Sequence, residues 1–194
     1  MIDFGYWRAM LRNDVDAVFK LLLGSILLLI PGLNLAVLGY GMRCLANSLW
    51  KKQRLPAWHN CKELVIEGGI AFGILLAYLA LPLVIGFVLR PLLGAGKLLG
   101  WILAGFSMLF VPLGWANWQV YHEWQAAFFL KEIWERLYCH CAVYLLFTAG
   151  MVGVIALGVI LLFMLPLLGI FGGILIFSYS VFFFFEIGRM FCQT

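Results

Sequence analysis

The stretch VYLLFTAGMVGVIALGVILLFML, residues 143–165, contains no charged side chain. A helix needs about 20 mainly apolar residues to cross the roughly 30 Å hydrocarbon core of a bilayer. The stretch is long enough, and a helix satisfies its own backbone hydrogen bonds where no water is available. Residues 143–165 therefore predict a membrane-spanning helix.

Other apolar stretches of the chain have similar lengths. Residues 65–89 and 98–120 each predict a span, interrupted by Pro82 and Pro112, and residues 170–185 predict a shorter one. The composition agrees, because 65% of the chain is hydrophobic and 11% is charged, whereas soluble domains are about 45–50% apolar and about 25% charged. A soluble fold of 194 residues could not bury so much apolar surface, so the chain predicts a polytopic α-helical membrane protein.

Turn sequences rich in proline and glycine separate the apolar stretches. Pro-Leu-Leu-Gly occurs at 91–94 and again at 166–169, and the Pro-Gly-Leu sequence at 31–33 interrupts the first apolar stretch, residues 21–40. Proline inside a helix removes a backbone hydrogen bond and clashes with the preceding turn. The pattern predicts an all-α transmembrane bundle of three helical hairpins, and chance recurrence of common turn residues is the alternative.

The first hairpin is the shortest of the three. Residues 18–30 cover only about 20 Å at 1.5 Å per residue, so this hairpin is expected to be short or re-entrant. A re-entrant tip is tolerated only where protein shields it from lipid. A single kinked crossing over residues 21–41 is the alternative to a hairpin here.

We interpret residues 1–194 as one transmembrane domain with amphipathic segments between its hairpins. Its parts are an interfacial amphipathic helix (1–20), the first hairpin with a cytoplasmic arm (21–53), the second hairpin (64–120), a cytoplasmic amphipathic helix (128–138) and the third hairpin (140–190). Opposite charges spaced i,i+4 are expected to stabilise the amphipathic helices weakly. These pairs are Arg12–Asp16, Asp16–Lys20, Lys131–Glu135 and Glu132–Arg136.

The distribution of lysine and arginine predicts the orientation. If the three hairpin tips lie on one side, that side carries only Arg90 and Lys97, and the other side carries eleven basic residues. A single kinked first crossing would divide the basic residues eight to five. Cytoplasmic loops are enriched in lysine and arginine, so the more asymmetric arrangement is favoured. We expect both termini in the cytoplasm and the proline-glycine tips outside.

No set of side chains in the sequence predicts catalysis or metal binding. Cys139-His140-Cys141 has the residue types of a metal site, but adjacent helical residues point about 100° apart and structural zinc needs four converging ligands. His122-Glu123 lacks the second histidine of a zinc-protease helix. The odd number of cysteines argues against a disulfide framework, and no basic stripe with stacking aromatics predicts nucleic-acid binding. We expect no enzyme activity, no metal, no cofactor and no nucleic-acid partner.

Charged residues near membrane depth are the strongest functional signal in such a chain. Glu67 lies about one turn inside its predicted span, so we expect an intramembrane ion pair between Arg43 and Glu67. Glu186 and Arg189 are three residues apart and can pair with each other. Small residues spaced by four allow close helix approach. Such pairs are Gly69/Gly73, Gly96/Gly100 and Gly169/Gly173.

The predicted cytoplasmic face holds most of the charge and most of the tryptophan. A binding surface combines aromatic anchors with polar groups, so we expect this face to be the working surface. The expected partner or headgroup contacts are Arg43, Arg54, Trp58, Lys131 and Glu135. The alternative is that these residues only anchor the bundle at the anionic inner leaflet.

Two functions fit the sequence. The first is a non-catalytic accessory or scaffold subunit of a membrane complex, whose partners are membrane lipids and other membrane-protein subunits. It is motivated by the lack of a catalytic set and by the amphipathic segments. The alternative is a small transporter or lipid-handling protein, motivated by repeated hairpins and proline-interrupted spans.

Four short motifs, in this order, resemble those of the domain-of-unknown-function 4013 family of prokaryotic membrane proteins. They are Gly39-Tyr40-x-x-Arg43, Leu55-Pro56-Ala57-Trp58-His59-Asn60, Ala126-Ala127-Phe128 and Ile187-Gly188-Arg189. Two features depart from the family pattern, because Phe129 stands where an Asp is common and His59-Asn60 replaces an acidic pair. The resemblance implies a multi-pass helical protein of a prokaryotic cytoplasmic membrane, and it implies no particular activity.

Overall fold

The computed structural model describes residues 11–12, 14–30, 32–52, 54–89, 96–164 and 166–192. Within that part of the chain every regular element is helical. The helices are α1 (Ala17–Leu29), α2 (Asn34–Leu49), α3 (Cys61–Leu89), α4 (Gly96–Met108), α5 (Val111–Tyr121), α6 (Leu130–Cys139), α7 (Cys141–Met164) and α8 (Pro166–Cys192), with a short 3₁₀ helix (Gln125–Phe128) before α6. The predicted tip at 90–94 and the first ten residues of the predicted interfacial helix lie outside the described residues.

Among the described residues, three helical segments are long and apolar enough to cross a membrane. They are Cys61–Leu89, Cys141–Leu161 and Gly169–Phe191, and the bent pair α4–α5 makes up to four if it counts as one span. Only 17% of the most apolar window is buried inside the protein in each of the first two segments. Their remaining apolar surface must be covered by lipid, so the protein is an all-helical membrane bundle, as the sequence predicts.

Helices α7 and α8 form an antiparallel hairpin. Gly150 of α7 faces Tyr179 of α8, and Gly158, farther along α7, faces Gly172, which comes earlier in α8. The two glycines at the second crossing allow close approach, because the nearest atoms around Gly172 belong to the backbone of Gly158.

The first two helices also run in opposite directions, and α8 shows this. Helix α1 is antiparallel to α8, because Gly24 meets Phe177 whereas Leu29 meets Gly173. Helix α2 is parallel to α8, because Gly41 meets Phe184 and the carbonyl of Leu45 lies beside Gly188. With only 13 residues in α1, this hairpin is short, and α8 packs along both of its helices.

The second hairpin differs from the continuous span predicted over residues 98–120. The chain bends by 44° between α4, which ends at Met108, and α5, which begins at Val111. Pro112 lies in the first turn of α5, where its missing N–H and fixed φ are tolerated. The proline therefore starts a new helix instead of kinking one, and every residue of α5 from Val111 to Gln119 is buried.

The segment predicted as an arm after Tyr40 is part of α2, and its location on the cytoplasmic side stays a prediction. Helix α2 continues without a break through Leu49, and Met42, Cys44 and Leu45 are fully buried. These side chains pack in the main hydrophobic core. Of the polar residues in this segment, Arg43 pairs with Glu67 and Glu63 of α3, and Lys51 and Lys52 beyond the end of α2 are exposed.

The predicted amphipathic helix over residues 1–20 is interrupted. A turn at residues 14–16 separates the helical residues 11–12 from α1. Lys20 therefore pairs with Asp14, at 2.7 Å between Nζ and Oδ2, and not with Asp16 as the helical spacing predicted. The Lys20 ammonium also donates to the carbonyl of Leu55, so this charge ties α1 to the loop after α2.

The third hairpin also has different boundaries from those expected. Pro166 begins α8 directly, where the sequence predicted a turn over residues 166–169, and proline is favoured in the first turn of a helix. Helix α8 then continues through Cys192, well beyond the predicted end of the span at residue 185. Glu186 is thus inside the helix, buried, with its Oε1 3.0 Å from Nη1 of Arg189.

Candidate functional site

Two family-like motifs meet at one end of the bundle. Tyr40 and Trp58 stack with their ring centroids 4.2 Å apart. The Tyr40 hydroxyl donates to the Pro56 carbonyl at 3.2 Å, and the Trp58 indole N–H donates to the Lys20 carbonyl at 3.2 Å. Trp58 is therefore part of the packing between α1, α2 and the loop. Its ring is engaged within the fold and does not stand out as a contact for a partner.

Arg43 lies at the centre of a small polar cluster. Its Nε is 3.1 Å from Oε2 of Glu67, so the two side chains that the sequence pairs are together in the structure. Its Nη2 donates to Glu63 at 3.0 Å and its Nη1 to the His59 carbonyl at 3.2 Å. With these partners the guanidinium joins α2 to α3 and to the turn before α3, and it already has acceptors within the fold.

Buried polar groups on α5 tie the bundle together. Gln119 donates to the Met42 carbonyl at 3.1 Å, and the Trp115 indole N–H donates to the Ala71 carbonyl at 2.8 Å. Asn117 accepts from Arg136 Nη1 at 3.2 Å. These bonds link α5 to α2, α3 and α6, and a buried polar group is costly unless it is paired. Their role is structural.

One predicted contact, Arg54, lies in an exposed segment just after α2. Arg54 is at the surface, and its carbonyl accepts from Asn47 at 3.1 Å. Trp50 is 72% exposed and lies beside the exposed Lys51 and Lys52. This part of the surface combines one aromatic ring with three basic side chains.

A large groove opens between α3, the α4–α5 bend and α6. It encloses about 670 Å³. Its lining is apolar apart from Ser107 and two charged residues, Lys131 and Glu135, on α6. The lining residues are Ala77, Tyr78, Leu81, Phe106, Ser107, Phe110, Phe128, Leu130, Lys131, Trp134 and Glu135.

One contact holds the two walls of the groove in place. The Tyr78 hydroxyl on α3 donates to the Ala127 carbonyl at 2.7 Å, and its ring stacks on Phe128 with centroids 5.2 Å apart. These contacts draw the 3₁₀ helix and the start of α6 against the side of α3. The segment between α5 and α6 therefore packs against the bundle.

The charged rim of the groove lies on the exposed face of α6. Lys131 and Glu135 are both exposed, and neither forms a hydrogen bond or ion pair with the described residues. The predicted Lys131–Glu135 pair is therefore not formed there, whereas Glu132 and Arg136 approach to 3.9 Å. Two opposite charges, one helical turn apart, face the groove with no described partner.

Sequence analysis named Lys131 and Glu135 as expected contacts and Phe128 as part of a motif, and it missed the other groove residues. Lys131 and Glu135 stand out as charges on an amphipathic helix. Tyr78 and Phe110 lie in stretches that are apolar on all sides, so hydropathy does not show which of their side chains face protein and which face lipid. The proline at the start of α5 was the one signal for a break beside Phe110.

A second, smaller cavity of about 320 Å³ lies between the first and third hairpins. Its walls come from α1, α2, α5, α7 and α8, and its polar lining residues are Asn34 and Ser180. Ser180 donates to the Ile176 carbonyl of its own helix at 2.7 Å. The cavity offers no charged group that could orient a ligand.

The cysteines and histidines form no metal cluster within the described part of the chain. Helix α6 ends at Cys139, His140 is the break, and α7 begins at Cys141. The three residues were expected on a single helix, and in the structure they span the end of one helix and the start of the next. Cys44 is buried while Cys61, Cys139 and Cys141 are exposed, and burial raises the pKa of the Cys44 thiol.

Comparison with known proteins matches the chain to a protein family. The family model DUF4013, described as a protein of unknown function, matches residues 23–167, which is about three quarters of the chain. The match covers three of the four family-like motifs, and Ile187-Gly188-Arg189 lies beyond it. No curated protein and no solved structure matches the chain.

Proposed function

The chain belongs to the DUF4013 family of proteins of unknown function, and from that premise we propose that it is a non-catalytic membrane protein that holds a membrane lipid in the groove beside α6. The observation that carries this proposal is the apolar groove of about 670 Å³ with charges only at its rim. Ligand sites typically enclose about 300–1,000 Å³ and combine apolar walls with a few polar groups.

An acyl chain is the occupant that suits the walls. The aromatic side chains of the walls come from α3 (Tyr78), α4 (Phe106) and the bend between α4 and α5 (Phe110). Ser107 is the polar group on this wall, and its hydroxyl donates to the Leu103 carbonyl at 2.9 Å. The wall therefore offers a lipid chain no unpaired polar group and offers a reaction no activated nucleophile.

The hydrophobic effect alone does not explain retention of a lipid here. An acyl chain that moves from the bilayer into the groove leaves one apolar environment for another, so little free energy is gained from dehydration. A long-lived complex needs shape complementarity and polar contacts at the headgroup. Two features of the groove support the proposal: the Tyr78–Phe128 stack shapes its wall, and Lys131 and Glu135 are polar groups that a headgroup would contact.

Filling the groove tests the proposal. Ala77 lines the groove, and Ala80, one turn away on α3, is exposed outside it. We expect the native protein and Ala80→Phe to retain about one phospholipid per chain in mild detergent, measured by native mass spectrometry, and Ala77→Phe to lose it. If Ala77→Phe retains as much lipid as Ala80→Phe with equal thermal stability, the groove is not the lipid site.

A scaffold or accessory subunit that docks through the predicted cytoplasmic face is the second candidate function. The exposed Trp50 beside Lys51, Lys52 and Arg54 favours it, because exposed aromatic and basic side chains together suit a binding surface. Arg43 and Trp58 no longer support it, since both side chains have partners within the fold. In this proposal the membrane is a prokaryotic cytoplasmic membrane, and the partner is another membrane-protein subunit.

Charge reversal separates docking from anchoring. Arg54→Glu should leave membrane insertion unchanged and remove any stoichiometric partner that co-purifies with the native protein. Lys131→Glu serves as the matched control, because it lies on the groove rim. A partner that survives Arg54→Glu, or one lost only with Lys131→Glu, would rule out docking through the end of α2.

A further inference from the structure

We propose that the groove selects a phospholipid whose headgroup carries both a phosphate and a primary amine. Lys131 would bind the phosphate and Glu135 would bind the amine. This inference rests on the proposed function, since it concerns the headgroup of the lipid whose chain fills the groove. It commits to the bilayer as the source of the ligand, because the walls below the two charges are apolar.

The spacing of the two charges supports this choice. Lys131 and Glu135 are four residues apart on α6, so they lie on one face, separated by about one helical turn of 5.4 Å. An ethanolamine headgroup places its amine two carbons from the phosphate ester, so one such headgroup reaches both side chains. Trp134, 56% exposed on the same rim, has the amphipathic character of residues that lie at the headgroup level.

The other charges of α6 are engaged elsewhere. Arg136 contacts Glu132 and Asn117, and its guanidinium lies 4.0 Å from the centroid of the Phe191 ring. Lys131 and Glu135 are therefore the two charges of α6 that face the groove. A net-neutral pair of opposite charges complements a zwitterionic headgroup, whereas an anionic headgroup would meet the Glu135 carboxylate as a like charge.

The carboxylate also separates one zwitterion from another. A primary ammonium donates charge-assisted hydrogen bonds, which are the strong class of hydrogen bond in proteins. A quaternary choline carries the same charge but has no N–H to donate. Glu135 therefore favours the primary amine, and Lys131 contributes equally to both headgroups through the phosphate they share.

The placement of α6 agrees with a headgroup at its rim. Ile133 is buried against the bundle, while Leu130, Trp134 and Tyr138 are exposed. An amphipathic helix with such a face lies in the interfacial region of a bilayer. Leu81 of α3 and Phe106 of α4 also line the groove, so a lipid whose headgroup meets the rim would place its chain against these two helices.

A competition experiment tests the headgroup. The full chain, delipidated in mild detergent, is mixed with equal amounts of phosphatidylethanolamine, phosphatidylcholine and phosphatidylglycerol with identical acyl chains. Native mass spectrometry counts each bound lipid. We expect phosphatidylethanolamine to exceed each of the others by about tenfold, which corresponds to about 1.4 kcal/mol.

Substitutions assign the two roles. Glu135→Gln should abolish the preference for ethanolamine over choline while lipid is still retained. Lys131→Gln should lower retention of both zwitterionic lipids together. Lys52→Gln and Glu123→Gln, which remove exposed charges away from the groove, are the matched controls and should change neither. All four side chains are exposed, so the variants are expected to fold.

The outcomes distinguish the headgroup selectivity from the proposal that the groove holds a lipid. Equal retention of ethanolamine and choline lipids by the native protein overturns the inference, and so does an unchanged preference in Glu135→Gln. Either result leaves the groove as a lipid site if Ala77→Phe still removes the lipid. If phosphatidylglycerol is retained best, Lys131 acts alone and the paired-charge assignment is wrong.

Discussion

The rings of Tyr40 and Trp58 lie face to face, 4.2 Å apart and 9° from parallel. Tyr40 belongs to α2 and Trp58 to the loop that follows it, and the indole N–H donates to Lys20 of α1. In the sequence the two residues belong to separate short motifs, but their contacts in the structure join α1, α2 and the loop after α2. Aromatic pairs contribute about 0.5–1.5 kcal/mol beyond the area they bury, so this contact stabilises the first hairpin.

The stack predicts different effects for the two tryptophans of this region. Trp58→Ala should lower stability by about 3–5 kcal/mol, the usual range for deleting a large packed ring, and Trp58→Phe by less because the stack is kept. Trp50→Ala is the control, since that side chain is 72% exposed. Thermal unfolding in detergent measures the differences, and equal effects of Trp58→Ala and Trp50→Ala would contradict the structural role.

Adjacent glycines on α3 should respond in opposite ways to alanine. A Cβ added at Gly68 would overlap the Leu35 carbonyl of α2, whereas at Gly69 it meets nothing within 4 Å. Gly68→Ala should therefore force α2 and α3 apart and aggregate on size-exclusion chromatography. Gly69→Ala should be neutral or slightly stabilising, because alanine favours the helix by about 1 kcal/mol. The reverse order would show that the crossing lies elsewhere.

The two carboxylates that contact Arg43 should contribute unequally. The Glu67 side chain is 28% exposed and that of Glu63 is 59% exposed. Glu67→Gln should cost roughly 1.5–3 kcal/mol, as for a hydrogen bond to a charged group. Glu63→Gln should cost less than about 1 kcal/mol, as for a solvent-exposed pair. Denaturation of the purified variants measures both, and a larger loss from Glu63→Gln would contradict this ranking.

Thiol labelling should separate Cys44 from the exposed cysteines. The thiolate is the reactive form, and burial raises the pKa of Cys44 well above its ordinary range. Raising the pH from about 7 to about 9, across the usual thiol pKa of about 8.5, should therefore leave Cys44 unlabelled in the folded protein, while the exposed Cys61 reacts. The unfolded thiol loses its proton first, so the contribution of Cys44 lowers stability above about pH 8.5.

Peptide mapping after maleimide treatment measures this labelling. Labelling of Cys44 at the rate of Cys61 at either pH would show that α2 is not buried. Denatured protein is the control, because all cysteines should then react.

The orientation of the chain stays a prediction. With both termini in the cytoplasm, reporter fusions at residue 1 and at residue 194 should both report a cytoplasmic location, since eleven of thirteen basic residues then lie inside. Termini on opposite sides would contradict the hairpin arrangement of α1 and α2.

Local sequence was enough to predict most of the helices and three ion pairs, Arg43–Glu67, Glu132–Arg136 and Glu186–Arg189, whereas the turn predicted at 166–169 is the start of α8. Charge-free stretches of more than 20 residues cross lipid as helices, because a helix forms all of its backbone hydrogen bonds within the segment where no water is available. Arg43 and Glu67 could be paired because they are rare charges at the ends of consecutive apolar helices. The burial of the segment after Tyr40 could not be predicted, because the polar spacing on α2 does not show that a partner on α3 meets it.

The sequence by itself determined that this protein is helical, membrane-embedded and built from short-looped pairs of helices, since these properties depend on length and hydropathy alone. Only the tertiary structure decided which apolar side chains face protein. A helix that is apolar all round meets lipid and neighbouring helices with nearly equal free energy of transfer, so small residues and hydrogen bonds select its packing face. That is why Gly68 and not Gly69 marks the α2–α3 crossing, and why the groove beside Tyr78 could be recognised only once Ala127 was seen to accept its hydroxyl.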